Sequence, residues 1–318
     1  MQSAVLFLVF NRPDTTRQVF EAIRAAKPPR LYVAADGPRQ NREGEFERCE
    51  EVRRIATTVD WPCEVKTLFR NKNLGCKLGV SGGINWFFEN EEEGVILEDD
   101  VLPIQSFFEY CDELLERYRN DPKVGVISGC NLVSKRFTPS ESYFFSRYNH
   151  VWGWASWRRA WQHYDVTMHN WPEWRDKGGL KSISDGNKLF ESYWISVFDN
   201  AYRGGIDTWD YQWTYSCWYQ GMVTALPAHN QTFNLGFGHP EAVHTTGDAP
   251  DCILKSIPES LTIPLRHPFD IERSLVADDT IDRLIFRITR ITLIRQRILR
   301  IPMIGNLLKE SKRLVKNA

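Results

Sequence analysis

Short apolar runs recur through the first 130 residues, and between them apolar positions fall three and four apart. The run Ala4-Val5-Leu6-Phe7-Leu8-Val9-Phe10 stops at Asn11-Arg12-Pro13 and reads as a buried strand. Val19, Phe20 and Ile23 then share one helical face, with Asp14 or Thr15 placed to cap it. Residues 31–35 form a second strand that stops at Asp36-Gly37, a charged helix covers roughly 43–58, and residues 64–68 form a third strand. Asn71, Asn73 and Gly75 punctuate the loop before a helix carrying Leu78, Val80, Ile84, Trp86 and Phe87. A fourth apolar run, Gly94-Val95-Ile96-Leu97, precedes a helix over about 106–119 with Phe107, Phe108, Cys111 and Leu115 on one face, and residues 124–127 are a further strand. Such alternation predicts an α/β fold, a doubly wound and mainly parallel sheet with helices on both faces.

The pattern changes near residue 130. Ten of the twelve Trp fall between Trp152 and Trp218, so the second half is rich in aromatic residues and periodicity defines its elements poorly. Pro250, Pro258, Pro264 and Pro268 suit an extended strap. The expected division is therefore 1–130 as a nucleotide-binding half, 131–249 as the other half of the same domain, 250–280 as a linker or strap, and 281–318 as a helical tail.

Charge sharpens this division. The formal net charge is −1, but residues 281–318 hold ten Lys and Arg against Asp282 and Glu310, which leaves the tail at +8 and the remainder at −9. Arg283, Arg287, Arg290, Arg297 and Arg300 recur at helical spacing among Ile, Leu and Phe. A basic amphipathic helix binds a membrane surface, or it packs on the domain or on another subunit; periodicity alone does not separate these. Seven Cys without a C-x-x-C pair suit free thiols in a reducing compartment, and the opening apolar run is too short for a signal or membrane segment. The expectation is a cytoplasmic protein with peripheral contact at the inner face of the membrane through 281–318, and no nucleic-acid partner.

The chemistry concentrates after the fourth run, where Glu98-Asp99-Asp100 follows Leu97 directly. Clustered carboxylates at the carboxyl end of a buried strand set hard oxygen ligands at the sheet edge where open α/β folds bind their ligands. Asp100 is the leading candidate to hold a divalent cation, Mn²⁺ or Mg²⁺, bridging diphosphate oxygens; the alternative is a solvated strand end. Arg12 and Asp36 fall at the same edge, Arg12 suited to phosphate and Asp36 to a base or ribose, although Asp-Gly is also ordinary turn chemistry. The loop from Arg70 to Lys77 offers basic side chains near a helix start, which suits anions. G-x-x-x-x-G-K-[ST] is absent, which disfavours a P-loop nucleotidase, and no G-x-G-x-x-G follows the first strand, which disfavours a dinucleotide oxidoreductase.

Taken in order, the first strand with Asn11-Arg12-Pro13, Asp36-Gly37, EGVILEDDVLPIQSFFEY, VWGWASWRRAW, DTWDYQW and NLGFGHPEAVHTTG resemble a GT-A glycosyltransferase over residues 3–247. Among such enzymes the chain is similar to bacterial glycosyltransferase-like proteins and to N-acetylglucosaminyltransferase I, whose EDD variant of the D-x-D motif also ends a strand. The resemblance implies that Asp100 contacts the metal, that Glu98 and Asp99 orient sugar and ribose, and that Asn11, Arg12, Asp36 and Lys77 belong to the donor site. It implies an acidic base in the Trp-Asp segment, with Asp210 the best match and Asp207 a competitor because the two adjacent acids of the eukaryotic enzyme are here Asp-Tyr. It further implies that His244, more than His239, serves as a metal or diphosphate contact. Indole faces stack on sugar C–H faces, so Trp152, Trp154 and Trp209 are candidates for the sugar pocket, while most of the ten tryptophans belong to the core.

The activity expected from this resemblance is an inverting, metal-dependent transfer of a sugar from a nucleotide-sugar donor, a UDP-sugar first, to a hydroxyl of a glycan or lipid-linked acceptor. A sugar-phosphate nucleotidyltransferase and a catalytically silent nucleotide-sugar-binding module are the alternatives.

Overall fold

The computed structural model describes residues 1–241 and 249–289. The first half alternates strictly: β1 (Ala4–Val9), α1 (Pro13–Ala26), β2 (Arg30–Ala35), α2 (Glu45–Thr57), β3 (Glu64–Phe69), α3 (Gly75–Asn90) and β4 (Glu93–Glu98). After it come β5 (Val101–Pro103), α4 (Gln105–Tyr118), β6 (Val124–Ser128), β7 (Tyr143–Ser146), β8 (Trp154–Trp157), the short helices α5 (Arg158–Trp161) and α6 (Trp171–Asp176), and α7 (Lys188–Tyr202). The chain continues through α8 (Asp210–Tyr219), β9 (Val223–Pro227), β10 (Thr232–Asn234), α9 (Asp251–Leu254) and α10 (Leu275–Leu284). Pro13 takes the first helical position of α1 and Arg12 precedes it as the N-cap, so Asp14 and Thr15, expected as caps, lie inside the first turn. Proline favours that position because its missing N–H would have had no helical partner.

Eight strands form one sheet in the order β3-β2-β1-β4-β8-β6-β9-β7. The pairs β3–β2, β2–β1, β1–β4 and β6–β9 are parallel, whereas β8 runs antiparallel between β4 and β6, and β7 is antiparallel on β9. The result is a mixed, mostly parallel sheet flanked by helices, an α/β fold. β1 is buried on both faces and divides its side chains by alternation. Val5, Phe7 and Val9 pack with α1, α2 and α4, while Leu6 and Leu8 pack on the opposite side with Ile84 and Phe87 of α3.

That second layer also contains the aromatic half of the chain. Trp154, Trp161, Trp171, Trp194, Trp213 and Trp218 are all buried there, joining α7 and α8 to the sheet. The expected strap is tied down rather than free. Leu265 N–H donates to Glu113 at 3.1 Å, Arg266 C=O accepts from Ser142 N–H at 2.8 Å, and Ser274 N–H donates to Phe145 C=O at 2.8 Å. α10 begins inside the segment expected to be linker, and its Asp282 pairs with buried Arg147 at 2.7 Å. Of the expected basic tail only residues 281–289 are among those described, and Arg290, Arg297 and Arg300 lie outside them. No helix among the described residues is long and apolar enough to cross a membrane.

Candidate active site

Strand order decides where a ligand site falls. From β1 the chain winds outward through β2 to β3, and α3 then carries it back to β4 on the other side of β1. The sheet therefore changes winding direction between β1 and β4, and a crevice opens beyond the carboxyl ends of those two strands. Register places Leu8 beside Glu98, so the residues after each strand, Phe10 to Arg12 and Asp99 to Asp100, meet at that crevice.

Arg12 joins the two ends. Its guanidinium pairs with Asp99 and, at 2.8 Å, with Asp100 Oδ2, while Phe10 N–H donates to the other oxygen of Asp99 at 3.2 Å. Asp99, at 2% exposure, has both oxygens engaged and serves as an anchor for Arg12, whereas the side chain of Asp100, at 9%, makes only the Arg12 bond among the described residues, which leaves Oδ1 without a partner there. Burial works to lower the pKa of Arg12, but the two carboxylates outweigh it and raise the pKa above the usual arginine value. Glu98, whose carboxyl lies deep in the fold yet opens on the crevice, is pushed up to about 8 by burial and then by its neighbours Asp100 and Asp99. Burial also raises Asp99, against the pull of Arg12.

The second wall is the start of α3. Asp36, expected to hold a base or ribose, accepts from Gly37, Leu74 and Gly75 N–H, the last two at 2.9 and 3.2 Å. Its carboxylate is committed to fixing the helix start, and burial raises its pKa against those hydrogen bonds. Asp207 closes the same helix end from the second half of the chain, accepting Cys76 N–H and Lys77 N–H at 3.1 Å each. Lys77, expected on the donor, gives its backbone N–H to Asp207, and its side chain is not among those that line the cavity. Gly75 has φ +79°, and a Cβ there would lie 2.8 Å from Asp207 Oδ2, so the close approach of the two elements requires glycine.

The third wall is the start of α8. Asp210 is the first residue of that helix; its Oδ1 accepts from the Thr208 hydroxyl and from Tyr211 N–H, and Oδ2 makes no hydrogen bond among the described residues. Trp209 and Trp152 line the cavity, and Trp152 meets Phe237 edge-on at 5.8 Å. Trp154 does not line it. It sits in β8 at 0% exposure, stacked under Trp209 at 5.7 Å and against Trp213 at 6.0 Å, and so supports the wall from behind instead of touching a sugar. Gly153, between Trp152 and Trp154, has φ +72° and would place a Cβ 2.8 Å from Thr232, so the turn that separates one cavity-facing indole from one core indole depends on glycine.

The rim contains residues that sequence reasoning missed. β5 and β10 pair as a small ribbon, which returns the chain over the site; Leu235 N–H then donates to Asp100 C=O at 2.7 Å. Beyond it, Glu241 accepts from Arg39 at 3.1 Å and from Asn11 at 3.4 Å, and Asn11 and Arg39 both also bind buried Glu45. His239 lies 3.3 Å from Asp14 at the start of α1. The signal for Arg39 was its place in the loop after the second strand, at the edge already singled out; nothing in the pattern marked Glu45 or Glu241. His244 lies outside the described residues.

These walls enclose a cavity of about 400 Å³, the size of a small-molecule or cofactor site. Seven acidic side chains line it against Arg12 and Arg39. Added positive charge would favour the entry of an anionic ligand with two phosphates into this acid-rich cavity. The donor set agrees with this. No group of three or more metal-ligating side chains converges among the described residues, but Asp100 with a spare oxygen and Glu98 beside it match the one or two carboxylates by which Mg²⁺-like ions are held when substrate phosphates complete their shell. The residues thus fit a cation shared with a diphosphate, not a cage that holds one alone.

No protein-family model matches the chain, and no curated protein matches it. Among solved structures it is similar to S. aureus TarS 1–349, with 9% identity and a TM-score of 0.41 over 74% of this chain and 61% of that one. It is also similar to HddC from Yersinia pseudotuberculosis, with 9% identity and a TM-score of 0.24 over 39% of this chain and 56% of that one. A UDP-glucose pyrophosphorylase complexed with UDP-glucose gives 10% identity and a TM-score of 0.25 over 46% and 62%. The chain spans less than two thirds of the length of each, and the α/β assignment rests on the order and register of its own strands.

Proposed function

We propose that this chain is a glycosyltransferase that takes a sugar from a nucleoside-diphosphate donor, a UDP-sugar in the first instance, and passes it to a hydroxyl of a glycan or lipid-linked acceptor. The observation that carries the reading is the pairing, in one cavity at the β1/β4 crevice, of the Arg12–Asp99–Asp100 cluster with Asp210, whose Oδ2 makes no hydrogen bond among the described residues. Arg12 and Asn11 supply the cationic and amide groups suited to phosphate and nucleoside, and Trp152 and Trp209 supply apolar faces suited to a sugar ring. A divalent cation, Mn²⁺ or Mg²⁺, would be held by Asp100 with Glu98 and would neutralise charge on the departing diphosphate.

The residues divide the chemistry. Asp210 accepts the proton of the acceptor hydroxyl as its oxygen bonds to the anomeric carbon; the bond from that carbon to the diphosphate oxygen breaks, and nucleoside diphosphate leaves. A single displacement of this kind inverts the anomeric centre. Asp207 is the weaker base because both its oxygens are engaged by the start of α3. Release of nucleoside diphosphate from a panel of nucleotide sugars, with water or added glycans as acceptor, tests the proposal. Asp210→Asn should lower release by roughly 10²-fold or more, in line with the loss of a general base, while donor affinity stays within about twofold. Absence of release from every donor in the panel would overturn it.

A further inference from the structure

The Arg12 guanidinium and a cation at Asp100 draw on the same carboxylate, Arg12 through Oδ2 and the cation through the neighbouring Oδ1. Arg12 bridges Asp99 and Asp100 from a position only 14% exposed at its side chain, and Asp100 Oδ2 is one of its two partners. Two cations on one carboxylate repel each other, and a buried guanidinium that gives up one of its carboxylates gains from another anion in its place. A diphosphate is such an anion. Seven acids line its way to Arg12 against two arginines, so cationic charge arriving with it favours its entry.

We infer that Arg12 is a counter-ion lock that makes cation and nucleoside diphosphate bind together: it guards Asp100 until phosphate oxygens replace the carboxylate as its partner. The inference rests on the nucleotide-sugar reading and adds to it a role for Arg12 that neither partner's binding alone requires. Coupling between two ligands is reciprocal, so each tightens the other's affinity by the same factor. The lock also explains why the second acid of the triplet is so deeply buried. Asp99, fixed by Phe10 N–H, keeps Arg12 in place when its bond to Asp100 opens.

Isothermal titration of the full chain with Mn²⁺ alone, UDP alone and UDP in the presence of Mn²⁺ measures the coupling directly, with GDP, CDP and dTDP run in parallel. For the wild type, Mn²⁺ should tighten nucleotide binding by at least about tenfold, within the usual range for coupled sites, and Mn²⁺ alone should bind weakly. Arg12→Ala frees both carboxylates, so it should bind Mn²⁺ alone about tenfold more tightly than wild type and show a coupling factor reduced toward one. Arg12→Lys, which can bridge only one acid at a time, should fall between them. Wild type binding Mn²⁺ alone as tightly as Arg12→Ala, or nucleotide affinity indifferent to Mn²⁺, would overturn the lock while leaving the nucleotide reading intact. If no nucleoside diphosphate binds with or without Mn²⁺, the nucleotide reading fails, and the lock fails with it.

Discussion

Asp207 and Asp210 stand three residues apart and have opposite fates. Asp207 is spent on two backbone N–H groups of α3, while Asp210 begins its own helix with one oxygen unengaged among the described residues. Asp207→Asn should therefore lower stability by about 1 kcal/mol, as loss of a charged helix-end contact does, and reduce turnover modestly; Asp210→Asn should leave the urea midpoint unchanged. A result with the two variants exchanged would move the base to Asp207. A separate residue-scale effect concerns the half-buried His150, whose ring lies parallel to the stacked pair Tyr148 and Phe286 and whose Nε2 is buried; desolvation there lowers its pKa from 6.5 to about 4. The folded state favours the neutral ring, so this contribution is fully present above pH 6.5 and is lost as pH falls toward 4. The loss approaches roughly 3 kcal/mol. His150→Phe keeps the stack without titrating, and its urea midpoint should fall less than that of wild type between pH 7.5 and 4.5. At this scale the place of the acid triplet at the end of a buried strand was legible because an apolar run leads directly into it. The partners were not legible: Arg12 reads as a phosphate ligand, and only coordinates show it spanning Asp99 and Asp100.

Among the elements, β8 and α8 were the least legible and matter most to the site. The first-half strands announce themselves by apolar runs between turn residues, but Trp154-Ala155-Ser156-Trp157 has no strand signature, and its antiparallel insertion between β4 and β6 depends on contacts distant in sequence. Most of the tryptophans are core, as expected, and several of them pack α8 against the sheet at the end that carries Asp210. Trp154→Ala should cost about 3–5 kcal/mol of stability, as buried Trp truncations do. It should also lower turnover with little change in nucleotide affinity, because the Arg12 side of the cavity stands on β1 and β4 instead. Thermal melts and nucleotide titrations of the same variant check both halves of this expectation. Equal loss of nucleotide affinity would show that the two walls are not independent.

For the whole molecule, the near-neutral net charge conceals a cavity where acids outnumber arginines seven to two. The fold class was legible in the first 130 residues because parallel strands buried on both faces must be continuously apolar. The cavity's charge balance was not, since Glu241, Asp207 and Asp210 reach it from segments far along the chain. The central claim is that this acidic crevice binds a nucleoside-diphosphate sugar together with a cation, and a thermal melt of the full chain against a panel of nucleotide sugars, each with and without Mn²⁺, tests it most directly. A ligand present at about 100 times its Kd adds roughly 2.7 kcal/mol to stability. The account predicts that at least one donor raises the melting temperature by several degrees with Mn²⁺ and far less without it, and that Asp100→Ala abolishes the difference. A flat response to every donor, or an undiminished shift in Asp100→Ala, would contradict it.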